Sequence, residues 1–148
     1  MAKTDHISAP DNMQGCACFN LRAAARALTR AYDKALRPVG LKVTQFTILA
    51  AISRVDLAVS IGTLAKTLSM DRTTLTRNLR PLEKQGLVEI LPEGYRRARG
   101  MVLTGKGRKA LERAIPLWRQ AQTATVNRIG DDRWAAFRQE MAALVGPV

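Results

Sequence analysis

Between Ser60 and Leu103 the hydrophobic pattern of this chain turns from helical steps to short extended runs, and that change restricts the fold more than any other feature. Ser60 can cap a short helix over Ile61–Leu68. Ser69–Met70–Asp71 reads as a turn into a second helix through Thr73–Leu79, running on toward Gln85 and ended by Gly86. Val88–Leu91 and Met101–Leu103 are β-prone and flank the basic, turn-rich segment Pro92–Gly100, which predicts a hairpin with a protruding tip. Pro81 falls inside the second helix. An interior proline removes a backbone bond and costs about 3 kcal/mol, so a kink is expected near Arg77–Pro81.

Helical spacing governs the flanks. Residues 1–15 show no periodicity and are expected to form a flexible arm. From Ala17, the positions Leu21, Ala24, Leu28, Ala31, Tyr32, Ala35 and Leu36 recur at three- and four-residue steps until Pro38 and Gly40, while Arg22, Arg26, Arg30 and Lys34 fall on another face. Thr44 is the expected cap of a helix carrying Phe46, Ile48, Leu49 and Ile52. After Thr104 a long helix is predicted from about Lys106 to Val126, interrupted at Pro116, and a last one over Asp131–Leu144. The pattern predicts a mainly α fold with one small β-hairpin, and 148 residues suit a single domain from residue 16 onward.

Lys and Arg outnumber Asp and Glu by 24 to 12, so the surface attracts polyanions: DNA, RNA or an anionic membrane. Residues 60–110 hold eleven basic and four acidic side chains, an excess of seven within the net +12. No apolar run approaches the roughly 18–20 residues of a membrane span, and the first fifteen residues lack the apolar block of a signal peptide, so a cytoplasmic protein without membrane partners is expected. A glycine-rich phosphate loop, a nucleophile elbow and a histidine base are all missing from the pattern, which argues against an enzyme and against a cofactor. Two cysteines with the lone His6 make a poor zinc set, and no metal is expected.

Several strings resemble the MarR family of transcription regulators: Gly40–Leu41 with Gln45–Phe46; Leu64–Ala65; Met70 through Arg77; Leu82 through Val88; and Leu103–Thr104 with Gly107. The resemblance implies a winged helix-turn-helix over 44–104, with 16–39 and 106–148 as the dimerisation helices of a homodimer and a palindromic double-stranded DNA operator as partner. The helix from Asp71 would then enter the major groove. Arg72, Thr73, Thr74, Thr76 and Arg77 supply the short hydroxyls and long cations such a helix needs, and Arg96, Arg97 and Arg99 would form the wing tip. Tyr95 stands where the family pattern usually has an acidic residue before the wing arginine, which leaves Arg97 less braced. A sequence-tolerant architectural binder is the competing reading.

The run from Cys18 to Tyr32 is similar to the first helix of OhrR, the peroxide-sensing branch of that family, which implies a redox role for Cys18 with Tyr32 as a partner. Arg22 and Val43 replace two other tyrosines of that pattern, although Arg22, one turn from Cys18, can favour a thiolate. The alternatives are a Cys18 packed as a small apolar residue beside Leu21 and Ala25, or a small aromatic ligand near Tyr32, Arg22 and Phe46. Cys16 and Cys18, two apart on a helix, would face different ways, so a bridge between them is expected to be strained.

Overall fold

The structure, a computed structural model, describes residues 13–55, 58–92 and 100–146. A 3-10 turn, Met13–Gly15, precedes α1 (Ala17–Leu36), and a second one, Arg37–Val39, follows it. Then come α2 (Val43–Ser53), β1 (Val59–Ser60), α3 (Ile61–Thr67), α4 (Arg72–Lys84), β2 (Val88–Ile90), β3 (Gly100–Leu103), α5 (Gly105–Asn127) and α6 (Asp131–Val145). The three strands form one antiparallel sheet in the order β1-β3-β2, with Val59 opposite Met101 and Val88 opposite Leu103. The fold is mainly α with a small hairpin, as the periodicity predicts; β1, two residues long, is an addition the sequence did not announce. Of the expected arm over residues 1–15, residues 1–12 lie outside the described residues, and 13–15 form the first 3-10 turn.

The interruption expected at Pro116 is corrected, since Pro116 sits within an unbroken α5, and α4 does not break at Pro81. Pro81 falls near the end of α4, and the missing N–H deprives only the carbonyl one turn back, that of Arg77, on the solvent side. Leu75, Leu79 and Leu82 are buried on both sides of the proline and hold the helix to the core through it. The cap of α2 is corrected too. That helix begins at Val43, before Thr44, and its N-terminus is satisfied from a distance: Asp33 Oδ1 accepts the Val43 N–H at 2.7 Å, and Gln45 Oε1 accepts the Lys42 N–H at 2.9 Å.

The core is built around α2, whose Phe46, Ile48, Leu49 and Ile52 are all buried. They meet Leu36 of α1, Leu64 of α3, the α4 leucines, Val88, Met101 and the inner face of α5 (Ala110, Leu111, Ala114). Trp118 stacks on Phe46 with ring centroids 5.6 Å apart, so it serves this core. Leu111 is likewise a core residue, and Ile115 and Leu117 pack against the same core cluster. Tyr32 is buried and its hydroxyl donates to Gln122 Oε1 at 2.6 Å, tying α1 to α5. By contrast α6 buries no residue, and Phe19, Leu28, Phe137, Leu144 and Val145 leave α1 and α6 with exposed apolar side chains. Among the described residues no single helix is long and apolar enough to cross a membrane.

Candidate nucleic-acid interface

The turn between α3 and α4 sets the direction of the candidate reading helix. Ser69 takes a left-handed conformation (φ 50°), and the Ser69 and Met70 N–H groups donate to Lys66 O and Ala65 O at 3.0 and 2.9 Å. Asp71 then caps α4: its Oδ1 accepts the Thr74 N–H at 2.8 Å and its Oδ2 accepts the Thr74 hydroxyl at 2.6 Å. The Thr74 hydroxyl, followed by the Thr74 N–H, holds the Asp71 carboxyl below its ordinary value of 3.8, because both donate to the charged form.

With Leu75, Leu79 and Leu82 facing the core, 100° per residue turns Thr73, Arg77, Arg80 and Lys84 to the opposite side, where all four are exposed. Arg72, Thr73, Thr76, Arg77 and Arg80 line one shallow, open depression on this face. The hydroxyls differ in what they have left to offer. Thr74 is spent on the Asp71 cap and Thr76 Oγ1 donates to Arg72 O at 2.8 Å, while the Thr73 hydroxyl has no partner among the described residues. The arginine row is the chemistry of phosphate and guanine recognition, planar forks of fixed charge on a rigid helix. Arg80 was absent from the sequence-derived set; its spacing, three residues after Arg77 and four after Thr76, was the signal, obscured by the kink expected at Pro81. The wing residues Arg96, Arg97 and Arg99, with Tyr95, lie outside the described residues.

A sequence profile described as the MarR family matches residues 39–98. The transcriptional regulator MosR of M. tuberculosis is 44% identical, the alignment covering 88% of this chain and 93% of that one, with a TM-score of 0.78; for its structure in complex with DNA the TM-score is 0.79. This chain belongs to the MarR family. Two further likenesses are consistent with that membership. Wild-type MarR of E. coli is 25% identical over 89% of this chain and 98% of that one, with a TM-score of 0.67. The transcriptional activatory protein BadR of Rhodopseudomonas palustris is 34% identical over 97 residues, 64% of this chain; the match spans 55% of BadR's own length.

The MarR-family fold separates the expected effector residues into two places. Cys16 and Cys18 are both free and exposed, with Arg22 exposed one turn further along α1. Cys18 is therefore not packed within this chain beside Leu21 and Ala25. Tyr32 follows Cys18 by fourteen residues, about 21 Å along a continuous helix, and cannot touch it within one chain. It also lies ten residues, about 15 Å, from Arg22 along the same helix. Cys16 is the N-cap of α1 in extended conformation (φ −67°, ψ 116°), outside the helix proper, which removes the premise that both cysteines project from one helix surface.

Proposed function

We propose that this MarR-family regulator is a cytoplasmic homodimeric repressor that reads a palindromic double-stranded operator with the outward face of α4, flanked by the tip arginines Arg96, Arg97 and Arg99, and that it has no catalytic role. The observation carrying this reading is the row Thr73, Arg77, Arg80 and Lys84, exposed and opposed to a fully buried leucine stripe. A rigid helix presenting cations away from its own core suits a major groove, and MosR has been solved bound to DNA. In this reading residues 44–104 form the DNA-binding lobe, and 16–39 with 106–148 form the dimerisation part. The exposed Phe19, Leu28, Phe137, Leu144 and Val145 supply apolar surface for pairing, and a two-fold pair would set its reading helices about 34–36 Å apart, one turn of DNA.

The proposed release signal is oxidation of Cys18. Its thiolate attacks one oxygen of a peroxide, the O–O bond breaks, and Cys–SOH forms with loss of water or alcohol. Exposure of both thiols and the nearby Arg22 charge support this.

The test is selection of bound fragments from the parent genome, followed by titration of the selected site against random duplex at physiological salt. A specific regulator binds its site at least about a thousandfold more tightly. A ratio near ten would establish the sequence-tolerant architectural role instead.

A further inference from the structure

The first turn of α5 grips the turn that ends α4. Thr104 Oγ1 donates to Gly86 O at 2.6 Å and accepts the Gly107 N–H at 3.0 Å. Lys106 Nζ donates to Gln85 O at 2.7 Å, across 21 residues of sequence. Gly107 is buried so closely against Leu87 that a Cβ there would stand 1.9 Å from Leu87 O. Thr104, the N-cap of α5, and Lys106 and Gly107 of its first turn thus hold three consecutive residues, Gln85, Gly86 and Leu87, at the junction of α4 and β2.

Lys106 is out of place by the rule for its own helix. A cation in the first turn of α5 opposes the positive end of that helix's dipole. Its ammonium lies instead at the C-terminal end of α4, on a carbonyl where α4 presents its negative end and has no partner of its own to offer. The same junction leads into β2. Lys106 therefore binds at the turn that sets the angle between α4 and that strand, beside the backbone bonds from Gly86 N–H to Glu83 O (2.8 Å) and from Leu87 N–H to Leu82 O (2.9 Å) that close it.

We infer that Lys106 is a positioning residue for DNA reading: by holding Gln85 O it sets the pitch of α4 against β2, without itself touching a phosphate. The inference rests on α4 being the reading helix. Its geometry separates two roles a basic residue near a DNA lobe can play. A lysine that neutralises a phosphate contributes about one to the slope of log affinity against log salt, and does so equally on any sequence. A positioning lysine leaves that slope unchanged and lowers the preference for the operator over random duplex, because misaligned side chains still meet phosphates but miss base edges.

The experiment compares the full-length wild type with Lys106→Met, which keeps the aliphatic stem, and Lys106→Arg, which keeps a donor of similar reach, using operator and random duplexes across a salt series. The expected result is an operator-to-random ratio about tenfold lower in Lys106→Met, the scale of one charged hydrogen bond, with the salt slope and the random-duplex affinity unchanged and the ratio restored in Lys106→Arg. A slope lower by about one on both duplexes, or an unchanged ratio, overturns the inference. Arg77→Ala in the same series tests the underlying reading separately: if it leaves operator binding intact, α4 is not the reading helix, whatever Lys106 does.

Discussion

Gly107→Ala is the sharpest test of the packing that joins α5 to the rest of the fold. The added methyl carbon would lie 1.9 Å from Leu87 O, 2.8 Å from Leu103 Cδ2 and 2.9 Å from Leu87 C. Contacts below 3.0 Å do not occur for real Cβ atoms, and the main obstacle is backbone, so α5 or the start of β2 must move by at least 1.1 Å. That movement stretches the Thr104–Gly86 and Lys106–Gln85 hydrogen bonds and costs about 1–3 kcal/mol or more as overpacking, while alanine returns up to about 1 kcal/mol in helix propensity. The net expectation is a loss of about 2 kcal/mol, or roughly 4–8 °C in Tm for a chain of this size. Gly105, two residues earlier in α5, has nothing within 4 Å of its hypothetical Cβ. Gly105→Ala is the internal control, expected to be neutral or slightly stabilising. Calorimetric unfolding of both variants at one fixed protein concentration decides the matter. A Gly107→Ala protein that melts at or above the wild-type temperature refutes the packing argument.

Asp71 links stability to pH. Because its folded value is depressed by Thr74, its contribution is present above the ordinary value of 3.8 and is lost as pH falls through the lower folded value. The stability difference between wild type and Asp71→Asn, measured by urea unfolding, should therefore shrink as pH falls from 7 to below 3.8; a constant difference contradicts the cap. For the redox signal, peroxide should release operator from the wild type and leave Cys18→Ser bound. If both proteins release alike, or neither does, Cys18 is not the sensor.

The features legible in the sequence were those fixed by local chemistry. Ser60, Asp71 and Thr104 each accept an N–H three residues ahead, an interaction contained in four consecutive residues; the helix starts at Ser60 and Thr104 were read from the sequence, whereas Asp71 was read only as part of the turn into α4. Thr73 and Arg77 on the outward face of α4 follow from the helical period alone, whereas Arg80 on the same face was missed. What escaped depends on residues far apart in the chain. Asp33 caps α2 from ten residues away, β1 finds its partner at Gly100–Met101 some forty residues on, and the Gly107 approach to Leu87 spans twenty. The choice between an exposed and a packed Cys18 stayed open in the sequence for a related reason. Whether a small apolar side chain on α1 is covered depends on where α5 and α6 run, and they leave the first turn of α1 open.

The central claim, that the outward face of α4 reads DNA, is tested most directly by operator affinity in two single-arginine variants. Arg77 lies on that face and Arg119 is an exposed arginine of α5. By fluorescence anisotropy at fixed physiological salt, Arg77→Ala should lose about 1–3 kcal/mol, roughly five- to 150-fold in Kd, while Arg119→Ala stays within about twofold of wild type. Equal losses in the two variants, or none in Arg77→Ala, would contradict the account.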